Sequence, residues 1–104
     1  MLMSVDTELM RVLSDPLRLK IVTLLAHETL CTTHLVVETG AKQTNLSNHL
    51  RVLREAGVVD TEPCGRFTYY RLVPEVMETL AGQFAALAEA ARATRTADTK
   101  RACP

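Results

Sequence analysis

Between Gly40 and Gly57 runs a segment, Lys42-Gln-Thr-Asn-Leu-Ser-Asn-His-Leu-Arg-Val-Leu-Arg-Glu55, whose pattern admits few folds. Leu46, Leu50 and Leu53 fall at i, i+4 and i+7, a narrow apolar stripe on an otherwise polar helix. Such a helix seats one edge in a core and presents the rest outward. Thr44, Ser47, Asn48 and Arg51 project away from the stripe, with Gln43 and Asn45 near the helix start. Short hydroxyl and amide side chains, rich in donors and acceptors, suit the reading of base edges in a major groove. A solvated helix face more often carries Glu and Lys, and neither occurs between Gln43 and Arg54. A polar surface helix with no partner is the competing reading.

The flanking elements narrow the choice. A first helix is expected over Val5 to Leu13, with Val5, Leu9 and Leu13 on one face. Asp15 can cap a second helix whose first turn accepts Pro16. That helix runs to about Ala26 with Leu17, Ile21, Leu24 and Leu25 inward. A short third helical segment, Leu30 to Glu38, ends at Gly40, which can take the left-handed conformation that closes a helix. After the polar helix come two strands, Val58 to Glu62 and Phe67 to Leu72, joined by a turn over Pro63 to Arg66 with Gly65 at positive φ. Pro74 opens a long helix to about Ala93, and a polar tail follows from Thr94 to Pro104.

Helices joined by a glycine turn, then a hairpin, then a helix give the order of a winged helix-turn-helix, mainly α with a small β-hairpin as the wing. One domain over residues 1–93 with a flexible 94–104 tail is the expected organisation. Arg66 at the hairpin tip can reach a phosphate or the minor groove, or stand solvated. On the last helix Val76, Leu80, Phe84, Leu87 and Ala91 recur at spacings of three and four, with small residues between them. This is a dimerisation stripe or a cover for the helix's own domain. Net charge is zero, yet residues 42–71 hold five Lys or Arg against three acids.

The stretch Leu50-Arg-Val-Leu-Arg-Glu-Ala-Gly-Val58, preceded by Asn45-Leu-Ser-Asn-His49, resembles the recognition-helix signature of the ArsR/SmtB family of metal(loid)-sensing repressors. Gly65-Arg-Phe-Thr-Tyr-Tyr-Arg-Leu72 is similar to their wing, and Ser14-Asp-Pro-Leu-Arg-Leu-Lys-Ile21 to their second-helix opening. The resemblance covers residues 8–92. It implies a homodimer paired through its first and last helices, bound to an inverted-repeat operator in double-stranded DNA and released by an inducer ion. It also implies that His49 packs against the core, with a DNA contact or a ligand role as the alternative.

No ligand set of the family carries over whole. Cys31 matches the first cysteine of the arsenic-type pair on the third helix, but Thr33 stands where the second would be. The last helix has no histidine for a zinc-type site, and Val52 and Ala56 occupy the cadmium-type cysteine positions. Cys31, Cys64 and Cys103 remain, with His34 three residues beyond Cys31. Three thiolates suit a soft, three-coordinate ion such as As(III), and Cys31 and His34, if both helical, share a face. Two have a plainer reading, Cys31 as a core residue and Cys64 as a turn residue, whereas packing does not explain Cys103 and a functional thiol is favoured there. Ni(II), Cd(II) or Zn(II), or a thiol redox signal acting through the same cysteines, are the alternatives to As(III).

Other classes fit poorly. Ser47 and His49 point different ways and lack a positioned acid, which excludes triad chemistry, and no glycine-rich loop cradles phosphates. No apolar run reaches the length of a membrane span, and Met1 to Asp6 lack the pattern of a secretory leader, so the cytoplasm is the expected location. A winged helix that binds protein rather than DNA is a further alternative.

Overall fold

A computed structural model of the chain describes residues 4–104, so part of the Met1 to Asp6 stretch lies outside the described residues. The elements follow in the order α1 (Thr7–Leu13), α2 (Pro16–Leu25), β1 (Leu30–Cys31), α3 (Thr32–Thr39), α4 (Gln43–Glu55), β2 (Val59–Cys64), β3 (Phe67–Leu72) and α5 (Pro74–Ala97). The three strands form an antiparallel sheet in the order β1-β3-β2.

Local chemistry sets the helix starts. The Asp6 carboxylate accepts the Leu9 N–H at 2.9 Å, so α1 begins at Thr7 rather than at Val5. Asp15 accepts from Leu17 and Arg18 at 2.9 and 3.0 Å, and Pro16 fills the first turn of α2 as expected. Gly40 ends α3 with φ +71°, its N–H donating to the Val36 carbonyl at 2.9 Å.

The core is apolar throughout: among the described residues no buried polar or charged side chain occurs. Leu46, Leu50 and Leu53 of α4 are at most 1% exposed and meet Ile21, Val22 and Leu25 of α2, Leu35 of α3, and Val58 and Val59. The inward faces of α1 and α2 differ in detail from the sequence reading. Leu9 and Val12 are the buried pair of α1, while Leu13 is half-buried; in α2, Val22 goes inward and Leu17 and Leu24 lie at the margin.

The β1 strand is absent from the sequence reading, since two residues carry no period. It exists by pairing alone, Leu30 opposite Tyr70 and Cys31 opposite Tyr69. The hairpin is also longer than expected. Pro63 and Cys64 belong to β2, opposite Thr68 and Phe67, and only Gly65 and Arg66 form the turn. Pro63 fits there because β2 is an edge strand, where a missing N–H goes unused. Gly65 has φ +62° while Arg66 keeps a negative φ, the pattern of a type II′ turn.

Helix α5 continues to Ala97 rather than ending near Ala93, closed by Asp98 in the left-handed region. Val76, Met77 and Leu80 pack half-buried against the core, and Gln83 accepts the Asp6 N–H at 2.9 Å. Beyond Gln83 every residue of the helix is exposed, including Phe84 (44%) and Leu87 (52%). The radius of gyration is 18.3 Å, against about 13 Å for a compact chain of this length, because α5 projects past the domain. Among the described residues no helix is long and apolar enough to cross a membrane.

The packing yields two stability expectations. Leu46→Ala opens a cavity under α4 and lowers stability by about 2–5 kcal/mol. Gly40→Ala meets no atom within 4 Å, so its loss is purely conformational, about 1–2 kcal/mol for a side chain held at φ +71°. Urea unfolding should show a lower midpoint with an unchanged slope in both variants.

Candidate nucleic-acid interface

Burying the leucine stripe turns the rest of α4 to solvent. Gln43, Thr44, Asn45, Ser47, Asn48 and Arg51 are all exposed, on one continuous surface of the helix. Thr44, Asn48 and Arg51, at i, i+4 and i+7, lie opposite the core, and Ser47 flanks them on the side of the sheet. The wing stands beside this surface, with Arg66 exposed at its tip. Tyr70 of the wing's β3 strand lines a cleft with Ser47, Arg51 and Arg54 of α4, which sets the hairpin against the flank of the helix.

The position of α4 is held from the other flank by contacts that sequence reasoning missed. Arg18 of α2 donates through Nε to the Val12 carbonyl at 2.6 Å, and its Nη1 lies 3.0 Å from His49 Nδ1. A guanidinium has no acceptor, so Nδ1 accepts and carries no proton in this contact. His49 is half-buried and faces α2 rather than solvent. One arginine therefore ties the end of α1, the body of α2 and the middle of α4 together. The only sequence signal for it is a basic residue in the second-helix opening, which spacing alone does not distinguish from a solvated one. The Asp15 carboxyl nearby sits below its ordinary pKa. The cause is first the backbone N–H of Arg18, opposed by desolvation and reinforced by the Arg18 charge and by the Leu17 N–H.

Charge is unevenly distributed over this neutral chain. Arg71 on the wing is paired with Asp60 at 2.8 Å and Glu62 at 3.4 Å, which quenches one of the five cations of residues 42–71. Arg51, Arg54 and Arg66 make no ion pair among the described residues. On another side, a cleft of about 320 Å³ between α1 and α5 is lined by Asp6, Glu8 and Glu75 with Leu9 and Val76. On α4 and its N-cap, Lys42, Arg51 and Arg54 outnumber Glu55, whereas on the wing Arg66 and Arg71 balance Asp60 and Glu62.

The thiols are not gathered. Cys31 is buried at the junction of β1 and α3, Cys64 is exposed beside the wing turn, and Cys103 is exposed in the segment after α5. Cys31 precedes α3 as its N-cap, so Cys31 and His34 do not form a helical ligand pair. Instead His34 Nδ1 accepts the Cys31 N–H at 3.2 Å in a capping arrangement, and its ring meets Tyr69 edge-on at 5.9 Å. Among the described residues no group of three or more His, Cys, Asp or Glu side chains stands close enough to hold one ion.

Comparison with known proteins agrees with this geometry. The family model described as bacterial regulatory protein, arsR family, matches residues 15–61, from the Asp15 cap through α4 into β2. The HTH-type transcriptional repressor SmtB of Mycobacterium tuberculosis is 42% identical over 65 residues, 62% of this chain and 48% of that protein. The arsenical resistance operon repressor of Escherichia coli is 36% identical over 70 residues, 66% of this chain and 60% of that protein. The chain thus spans about half the length of the curated relatives it matches. A crystal structure described as a possible transcriptional regulator for arsenical resistance superposes with a TM-score of 0.67 at 34% identity, covering 88% of this chain and 95% of that one.

Two substitutions test the support of α4. Arg18→Ala removes charge-assisted hydrogen bonds to two elements and lowers stability by about 1.5–3 kcal/mol, read from the urea midpoint. Asp15→Asn keeps a capping oxygen but not the titration. A carboxyl depressed in the folded state stabilises above its unfolded pKa of about 3.9 and loses that contribution as pH falls through the folded value. The acid limb of stability below about pH 4 should therefore be shallower in Asp15→Asn than in the parent, measured by urea midpoints across that range.

Proposed function

Because the chain belongs to the ArsR family of bacterial regulatory proteins, we propose that it is a cytoplasmic transcriptional repressor. In this reading it grips an inverted-repeat operator as a homodimer and is released by a thiol-binding ion, As(III) first among them. It carries out no catalysis. The observation that carries the reading is the surface of α4: a helix locked into the core by three leucines, with Gln43, Thr44, Asn45, Ser47, Asn48 and Arg51 all exposed. Amides and hydroxyls at that density can form the paired donor and acceptor contacts by which base pairs are told apart. The unpaired Arg51 and Arg66 add the phosphate attraction on which duplex binding rests.

Dimerisation is supported by what α5 leaves uncovered. Its first turns shield the domain core, while Phe84 and Leu87 stand in solvent on the half that projects beyond it, and Met10 of α1 is exposed as well. A two-fold interface buries each such residue twice. Phe84 and Leu87 are already about half covered, so burying the remainder of either one contributes about 1.5–3 kcal/mol to the dimer, counted over both copies.

The inducer clause rests on donor chemistry and on the arsenical-resistance relatives. Thiolates are the right donors for a soft metalloid, but the fit is in kind rather than in placement, since the three cysteines lie on separate elements of one chain. A site built from two copies, or closed by the segment carrying Cys103, meets the requirement; a preformed site within one chain does not.

Sedimentation and DNA binding test the whole reading. Leu87→Glu should convert a dimer into a monomer, weakening self-association more than about 100-fold, and should abolish tight binding to a duplex selected on the parent protein. Arsenite should release the parent from that duplex, whereas Cys31→Ser should resist release while binding DNA normally. Release that survives serine at Cys31, at Cys64 and at Cys103 in turn would eliminate the thiol-bound inducer and leave the repressor reading standing.

A further inference from the structure

Between α4 and β3 runs a cleft of about 310 Å³ lined by Ser47, Leu50, Arg51, Arg54, Glu55 and Tyr70. Ser47, Arg51 and Arg54 fall at i, i+4 and i+7, so they form one stripe along the flank of the helix that faces the sheet. Leu50 is buried and forms the floor. Tyr70 comes from the middle strand, held on both sides by Leu30 and Thr61, so the far wall is rigid.

Neither arginine holds a carboxylate among the described residues, a state shared by the exposed Arg66, Arg95 and Arg101. Three other exposed arginines of this chain hold carboxylates: Arg11 with Glu8, Arg71 with Asp60 and Glu62, and Arg92 with Glu89. Arg51 and Arg54 hold none among the described residues, although Glu55 lines the same cleft. The Ser47 and Tyr70 hydroxyls likewise make no hydrogen bond among the described residues. Two guanidiniums against one carboxylate leave the cleft positive, and four side chains supply donors that converge from two elements.

We propose that this cleft seats a single backbone phosphate of the bound duplex, gripped by Arg51 and Arg54 and steadied by Ser47 and Tyr70. The proposal rests on the reading of α4 as the DNA-facing helix and adds a division of labour within it. The outward Thr44 and Asn48 stand where base edges pass, whereas the cleft lies to one side, between helix and wing, where the strand backbone runs. Guanidinium forks match phosphate oxygens in pairs, and such contacts set register without carrying sequence information. At about 30 Å³ per water, the cleft holds roughly ten waters, room for a phosphodiester with part of its hydration. Arg54 and Tyr70 thereby join the DNA-contacting residues, neither of them evident from the outward face of the helix.

The probes are a duplex recovered by in vitro selection on the parent protein and a shuffled duplex of the same composition, followed by anisotropy across a sodium chloride series. Arg54→Gln should weaken both duplexes by the same factor, about tenfold near physiological salt, and lower the slope of log affinity against log salt by about one for each copy of the chain on the DNA. Arg54→Lys should restore the slope while recovering affinity only in part, since charge returns without the fork. Tyr70→Phe should weaken both duplexes about threefold with the slope unchanged. Arg54 lies in the last turn of α4, where a cation also favours the helix end; that role alone would move the urea midpoint and leave the salt slope intact. An unaltered slope in Arg54→Gln, or a loss confined to the selected duplex, overturns the phosphate seat while the DNA reading stands. If the parent protein binds neither duplex in a salt-dependent way, the DNA reading falls and the seat falls with it.

Discussion

Three leucines on one edge of α4 are the contact on which the rest of this structure depends. Leu46, Leu50 and Leu53 share one apolar core with side chains of α2, α3 and the start of β2, the three elements that pack on the helix that faces outward. At about 1.5–3 kcal/mol per buried leucine, this stripe is comparable with the whole net stability of a small domain. A narrow stripe also leaves most of the helix circumference free. The helix can therefore be both the keystone of the core and the most exposed polar surface of the fold.

Orientation of that surface comes from its two flanks. On one side Arg18 reaches from α2 to His49 and to the end of α1, which binds α4 to the α1–α2 pair by charge-assisted hydrogen bonds. On the other, the sheet lies alongside, with Tyr70 in its middle strand facing the Ser47, Arg51 and Arg54 stripe. Acids are used differently on the two sides of the molecule. On the wing, Asp60 and Glu62 neutralise Arg71 and leave Arg66 free at the tip. Around α1 and α5 they line a cleft of their own. A neutral chain thus keeps Arg51, Arg54 and Arg66 outside any ion pair among the described residues, and unpaired cations attract a polyanion.

The cysteines are scattered over separate elements, and the outer half of α5 is uncovered. Cys31 is enclosed at the head of α3, whereas Cys64 and Cys103 stand in solvent far along the chain from it. Helix α5 covers the core with Val76, Met77 and Leu80 and then carries Phe84 and Leu87 outward. In the proposed dimer, two copies meeting along α5 would shelter the apolar stripe and bring a second set of thiols and a second α4.

Much of this was legible in the amino-acid order because it is local. The i, i+4, i+7 leucines, the Asp15-Pro16 helix start, the left-handed Gly40 and the Gly65 turn each act within a few residues, and each appears where spacing and backbone preference put it. The polar face of α4 followed from the same period. What only the tertiary structure decided is non-local. The two-residue β1 exists through its pairing with β3, and Pro63 enters a strand because that strand lies at the sheet edge. His49 turns inward to Arg18, thirty-one positions away in sequence. Cys31 and His34, neighbours by spacing, became a strand end and a helix cap because the chain changes conformation between them. Periodicity specifies which edge of an element is apolar; which partner that edge meets, and whether scattered thiols or arginines converge, depends on chain segments that no local pattern relates.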